Sequence, residues 1–297
     1  MLVRNIESPI REYLRTWPKE TIHFVPNPGN FGDSLITTAT CALFRAEGIE
    51  FTIHRASAPF EAAGKVVVYG GGGNLVEYYR SARNVLLQTH AVAKRCILLP
   101  HTLSANEDLL GQLGPNVDLI CRERVSYEHA ARFAPRANVL LMDDLAFSLD
   151  AARLLQEGAA APPGELGSYA ARDLFKVPLV RLKQSLGRLL EGGTPGSLNA
   201  FRRDREAVRM SYPRDNVDLG TLFGYGSGTE ALARYVSWRV LTILAGHALV
   251  RTNRLHIAIG AALLGKQVEL FPNSYFKCEA VYRFSMQERF PNVHWMG

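Results

Sequence analysis

The run Lys65-Val66-Val67-Val68-Tyr69-Gly70-Gly71-Gly72-Gly73-Asn74 decides the fold. Three consecutive valines, apolar with no in/out alternation, are how a strand buried on both faces of a parallel sheet reads. Four glycines then interrupt it. The same layout recurs on either side. Apolar runs at 21–26, 50–54, 96–100, 117–122 and 138–143 read as further strands, and helix-length patterns at 34–47, 76–95, 106–113 and 126–133 separate them. A β-α-β-α order predicts a doubly wound α/β sheet.

The rhythm resumes near the end of the chain, with strands at 198–202, 248–252 and 267–271 and helices at 230–245 and 254–264. The two stretches predict two Rossmann-like domains facing each other across a cleft. Residues 1–150 form the N-terminal domain, 151–196 a linker with a helical insert, and 197–297 the C-terminal domain. The insert is bounded by the breaker clusters Gly158 to Gly164 and Gly192 to Gly196. Within it Phe175, Leu179, Leu182, Leu186 and Leu189 repeat at helical spacing, with Lys176, Lys183 and Arg188 off that stripe. A helix packed on the protein is the favoured reading, because such stripes usually face a core. A basic amphipathic helix lying on a membrane is the other.

The chain has 297 residues, a formal net charge of +6 and a pI near 9.2. That balance favours anionic substrates, a membrane surface or nucleic acid. Nucleic acid is disfavoured: there are no zinc pairs, no aromatic RNA-binding stripe and no long basic run. Cys41, Cys96, Cys121 and Cys278 stand far apart and read as buried thiols of a reducing cytoplasm, not as metal ligands. The first nineteen residues have no signal-peptide core, and no stretch approaches the ~20 apolar residues of a spanning helix. The expectation is a cytoplasmic protein, soluble or peripheral at the inner membrane face. Oligomeric state leaves no mark in the sequence.

In open α/β sheets ligands bind beyond the carboxyl ends of the strands. Here those positions carry Asn30-Phe31-Gly32-Asp33, the glycines with Asn74, Pro100-His101, Arg122-Glu123-Arg124, Arg202-Arg203-Asp204 and Asn253-Arg254-Leu255-His256. Arg254 and His256 have the strongest claim. A fixed cation and a titratable imidazole lie two residues apart at a strand–helix junction, where backbone N–H groups are unpaired. Anion recognition with proton transfer is favoured there over a buried salt bridge. Asp33 reads as a helix cap or a base. His101 reads as a structural hydrogen-bonder or a functional group. Arg122 and Arg124 pair locally with Glu123 or face the cleft. The glycine run either makes room for a sugar or is a tight strand-to-helix turn. It fails the G-x-G-x-x-G spacing, which disfavours a nicotinamide or flavin cofactor.

Asn30-x-Gly32-Asp33, Gly71-Gly72-Gly73-Asn74, Ala200-Phe201-Arg202-Arg203-Asp204, Thr252-Asn253-Arg254-Leu255-His256 with Gly265-Lys266, and Pro272-Asn273-Ser274-Tyr275-x-Lys277 together resemble the polysaccharide pyruvyl transferases. The resemblance runs from about Asn27 to Lys277 and is poor over 151–196. It implies a two-domain, GT-B-like fold, the first domain on the acceptor side and the last on the donor side. Phosphoenolpyruvate is the implied donor, the only co-substrate, with no further cofactor and no metal. The implied product is a cyclic pyruvate ketal on two hydroxyls of a sugar in an exopolysaccharide, a capsule or a cell-wall glycan. The acceptor can be lipid-linked.

Under this resemblance His256 transfers the proton and Arg254 meets the donor anion. Arg122, Arg124, Arg203 and Lys277 are secondary donor cations. Asp33 is the first choice of base and His101 the next. Asn30, Gly72, Gly73, Asn74 and Glu77 belong to the acceptor. Asn253 stands where the family often has Asp; a neutral amide can cap a helix but not act as a base. Two other readings stay open: a GT-B glycosyltransferase with a nucleotide-sugar donor, and a non-catalytic anion-binding or assembly protein.

Overall fold

The computed structural model describes residues 9–159, 166–191 and 196–297, the side chains of 187–191 excepted. Most of both breaker clusters, together with the side chains of Arg188 and Leu189, lies outside the described residues. The described residues form two compact units. One holds those up to Val25 with Thr40–Asp144, the other Pro26–Ala39 with Leu145–Gly297. The segments Pro26–Ala39 and Leu145–Asp150 group with the second unit, as do the described residues of 151–196.

The first unit is built on β1 (Ile22–Val25), β2 (Phe51–Ile53), β3 (Val66–Tyr69), β4 (Gly72–Leu75), β5 (Arg95–Leu103), β6 (Val117–Cys121) and β7 (Asn138–Leu141). Their order is β2-β1-β3-β5-β6-β7, with β4 also on β5, and every pairing is parallel. All residues of β3 and β6 are buried, as continuous apolar runs require. The helices are α1 (Pro9–Arg15), α2 (Phe31–Ala46), α3 (Ser81–Thr89), α4 (Glu107–Leu110) and α5 (Arg124–Phe133). The unit boundary falls inside α2, between Ala39 and Thr40.

The second unit opens with a 3-10 turn, Leu145–Ser148, followed by α6 (Ala151–Glu157), α7 (Gly167–Glu191), β8 (Ser197–Asn199), α8 (Leu219–Leu222), α9 (Glu230–Ala245), β9 (Leu249–Thr252), α10 (Leu255–Leu263), β10 (Gln267–Leu270), α11 (Lys277–Val281) and β11 (Val293–Trp295). Its sheet, β11-β10-β9-β8, is parallel throughout. The chain thus has two Rossmann-like α/β units, the make-up of the GT-B-like class. The Thr229 hydroxyl caps α9 by accepting from Leu232 N at 3.2 Å. Among the described residues no helix is long and apolar enough to cross a membrane.

Helix α7 corrects the favoured reading of its leucine stripe. The stripe does not face a core: Phe175 is 79% exposed, Leu179 60% and Leu182 56%. Inward, Val180 is buried, and the hydrogen bonds are made by polar groups. Buried Asp173 accepts from the Tyr225 and Tyr235 hydroxyls, Lys176 Nζ donates to Leu222 O at 2.6 Å and Lys183 Nζ to Asn216 O at 2.7 Å. Periodicity identifies a helix with one apolar face. It does not say which way the face points.

A second correction concerns the glycine run. The sequence reads it as a turn leading into a helix over 76–95. In the structure Gly72–Leu75 is strand β4, and the helix is shortened to Ser81–Thr89. β3 pairs with the first half of the long β5, Val66 opposite Arg95 through Tyr69 opposite Leu98. β4 pairs with the second half, Gly72 opposite His101 and Leu75 opposite Leu103. Gly72 has φ 150°, which a side chain would strain.

His101 fastens this return. Its ring is fully buried, and Nε2 accepts from Asn74 N at 3.0 Å, while Asn74 Nδ2 donates to the Tyr69 hydroxyl at 3.0 Å. Burial lowers the imidazole from 6.5 to about 3; the charge of Arg122 pushes the same way and Asp144 opposes. The folded ring is therefore neutral at ordinary pH. The unfolded chain binds a proton on it near 6.5, so its share of stability is complete above that pH and is lost as pH falls toward 3. Urea unfolding followed between pH 6.5 and 5 checks this. His101→Gln, which keeps an acceptor for Asn74, flattens the pH dependence of the unfolding free energy by about 1 kcal/mol per pH unit.

Candidate functional site

The second unit gathers the groups that can act on an anion. Asn30 caps α2: its Oδ1 accepts from Gly32 N at 2.8 Å. Asp33 reaches back to Asn30 N at 2.9 Å, completing a reciprocal cap, and its other oxygen accepts from Asn27 Nδ2 at 2.6 Å. The loop before α9 is tied to the same segment. Ser34 Oγ donates to Gly226 O at 3.1 Å and Ser227 Oγ to Asn27 O at 2.6 Å. Asp33 therefore holds the cap that the sequence offered as one of its two readings.

The start of α10 meets the start of α2. A Cβ built on Gly32 would lie 2.4 Å from Nδ1 of His256, so the imidazole occupies the space that glycine leaves open. His256 is partly exposed and sits in the first turn of α10. First-turn N–H groups lack intrahelical partners, and helix N-termini favour negative charge. In α2 the N–H groups of Gly32, Asp33 and Ser34 are met by Asn30, whereas the N-cap residue of α10 makes no side-chain cap bond. Arg254, not Asn253, is the N-cap residue of α10, and it makes no side-chain cap bond. Asn253 is buried and instead ties two strand ends together, its Oδ1 accepting from Arg202 N at 2.8 Å. Its Nδ2 is buried with no hydrogen-bond partner among the described residues.

Arg254 lies across α8. Its Nε donates to Asp218 Oδ1 at 2.5 Å, and its Nη2 to Asp218 Oδ2 at 2.7 Å, Asp204 Oδ2 at 3.0 Å and Thr221 Oγ1 at 3.0 Å. Gly220 makes this possible: a Cβ there would be 2.8 Å from the guanidinium. The salt bridge weighed against anion binding is thus present. It belongs to a wider cluster. Arg202 pairs with Asp204 and Glu206, and Lys277 with Glu206. Three cations (Arg202, Arg254, Lys277) face three carboxylates (Asp204, Glu206, Asp218) with little exposure except at Asp204, which is 34% exposed. Burial acts to raise the Asp204 carboxyl, but the bond from Arg202 and the charges of Arg202 and Arg254 outweigh it and lower it to about 2. Asp218 is lowered in the same way, the bond from Arg254 outweighing burial.

Arg203 differs from these. Its side chain is exposed, its guanidinium sits over the Tyr212 ring at 5.4 Å, and it lines a cavity of about 430 Å³ with Asp204, Asp218, Thr221, Val217 and Lys183. The sequence named Asp204 only within a motif and gave no sign of Glu206 or Asp218. Nothing in their spacing shows that residues 36 and 50 positions before Arg254 would meet it.

The remaining candidates lie in the first unit. Arg122 is fully buried, donating from Nε to Thr102 Oγ1 at 2.9 Å and from Nη1 to Asp144 Oδ2 at 2.7 Å. The expected local pairing with Glu123 is replaced: Glu123 caps α5 by accepting from Ser126 N at 2.9 Å. Arg124 and Glu77 are exposed, Gly73 is partly exposed, and Gly72 and Asn74 are buried in β4. Among the described residues no group of three or more His, Cys, Asp or Glu side chains could hold a metal ion.

Residues 30–275 match the family described as Polysaccharide pyruvyl transferase. A curated relative is "Putative pyruvyl transferase EpsO" of Bacillus subtilis (strain 168), 24% identical over 293 residues, which cover 90% of this chain and 85% of the relative. The crystal structure of a functionally uncharacterised protein from Klebsiella pneumoniae subsp. pneumoniae NTUH-K2044 superposes with a TM-score of 0.75 and 25% identity over 100% of both chains. The chain belongs to the polysaccharide pyruvyl transferase family. Membership places it among pyruvyl-transferring enzymes.

Two outcomes follow from this geometry. Gly32→Ala drives a methyl into the His256 ring and costs about 1–3 kcal/mol in unfolding free energy. In a His256→Ala background the same change costs less than half as much, which a double-mutant cycle by urea unfolding measures. Arg254→Ala leaves Asp204 and Asp218 without their shared cation and destabilises by about 3–5 kcal/mol in the same measurement. Adding Asp218→Asn recovers part of that loss.

Proposed function

We propose that the protein moves the pyruvyl group of phosphoenolpyruvate onto two hydroxyls of one sugar, forming a cyclic ketal and releasing phosphate. One observation carries the reading: a partly exposed imidazole, His256, is seated where the first turns of α2 and α10 meet. A proton carrier beside two helix N-termini suits a substrate that has both a carboxylate and a phosphate. Family membership supports pyruvyl transfer as the reaction class.

The chemistry balances as follows. His256 gives a proton to the methylene carbon of phosphoenolpyruvate, and C2 becomes an oxocarbenium-like electrophile. A sugar hydroxyl attacks C2 and returns its proton to the imidazole. The C2–O bond to phosphate then breaks. The second hydroxyl closes the ring, and its proton leaves with phosphate. In this reading the donor's anionic ends are met by the first turn of α10 and by the exposed Arg203. Arg254, matched by Asp204 and Asp218, fixes the start of α10 and contributes its charge at short range. A saccharide, free or lipid-linked, is the acceptor.

Purified protein incubated with phosphoenolpyruvate and a candidate glycan tests this by phosphate release and by mass spectrometry of the glycan. The expected product carries a 1-carboxyethylidene group. His256→Ala lowers turnover by about 10²–10⁴-fold, the usual contribution of a positioned acid–base group. It keeps the thermal stabilisation that phosphoenolpyruvate confers by binding. Turnover of the variant near the wild-type rate would remove the proton-transfer assignment. Consumption of a nucleotide sugar in place of phosphoenolpyruvate would remove the donor.

A further inference from the structure

The outward face of α7 is an apolar surface that no described residue covers. Leu174 and Phe175 are 70% and 79% exposed, and Leu179, Leu182 and Leu186 are 60%, 56% and 51%. Scattered exposed apolar residues need no explanation, but a contiguous group does. At about 100° per residue, Leu174, Phe175, Pro178, Leu179, Leu182 and Leu186 fall within an arc of about 140°.

Charge borders that arc on both sides. Arg181 lies about 20° beyond one edge and Arg172 about 20° beyond the other. Both are exposed. The one acidic residue among the described side chains of α7, Asp173, is fully buried on the opposite face, bonded to Tyr225 and Tyr235. The inner side is fixed by Lys176 and Lys183, which hold the carbonyls of Leu222 and Asn216. The outer side therefore offers apolar groups flanked by cations.

We propose that this face of α7 docks on an anionic lipid membrane, lying in the interface without crossing it. Aliphatic and aromatic groups enter the acyl boundary, and arginine at both edges meets lipid phosphate. A second copy of the chain is a poorer occupant, because face-to-face pairing would bring the flanking arginines together, and like charges across an interface are unfavourable. The chain's net charge of +6 acts in the same direction. Docking would also set the cavity lined by Leu179, Lys183, Arg203 and Asp218 beside the lipid surface. Nothing in this inference depends on the proposed reaction.

Flotation of the full chain with phosphatidylcholine vesicles, and with mixed phosphatidylcholine–phosphatidylglycerol vesicles, tests it. Wild type is expected to float with the mixed vesicles and to bind less as salt rises. Phe175→Asp with Leu182→Asp should lower the bound fraction at least tenfold at an unchanged melting temperature, since both side chains are exposed. Arg172→Gln with Arg181→Gln should weaken binding roughly thirtyfold and blunt the salt dependence. Wild type remaining unbound to the mixed vesicles would overturn the proposal, as would equal binding to both compositions. Light scattering that shows a lipid-free dimer, made monomeric by the aspartate pair, would reassign the face to self-association.

Discussion

The imidazole of His256 occupies the volume where Gly32 would carry a side chain, and much of the second unit is arranged around that approach. For two helices to bring their first turns together, one must offer bare backbone. Gly32 does so, and the cap formed by Asn30 and Asp33 satisfies donors that the close approach would otherwise strand. Asn27 extends the cap, and Ser34 and Ser227 tie the following loop to it. The ring lies against backbone, which is stiffer than side-chain neighbours.

Electrostatics set a second constraint. Three buried cations and three carboxylates compensate one another beneath this site. Buried charges survive only with such partners, and removing one exposes the rest. Arg254 anchors α8 to the start of α10 through Asp218, so its charge is already matched inside the protein.

The two α/β rhythms, the parallel strands and the strand–helix junction carrying Arg254 and His256 were all legible in the sequence, because burial on both faces removes alternation and leaves apolar runs. Less visible were β4, the outward direction of α7 and the carboxylates Asp204, Glu206 and Asp218. Each escaped for a physical reason. Glycines pair through backbone and have no side-chain pattern to read. A helical stripe has a period but no absolute direction. Ion pairs across 36 and 50 residues have no fixed spacing. Burial of the His101 ring and its bond to Asn74 were likewise not visible in the sequence.

By itself the sequence determined what is local and periodic: which segments become strands or helices, that the strands are sheathed on both faces, and that an imidazole and a guanidinium begin α10. Tertiary structure alone decided what those groups meet. His256 met a glycine, Arg254 met two aspartates, and Leu174, Leu179, Leu182 and Leu186 of α7 stayed more than half exposed. The reason is range. Periodicity and capping act over one helical turn, whereas charge pairing and close backbone approach depend on where distant segments arrive once the sheets have formed.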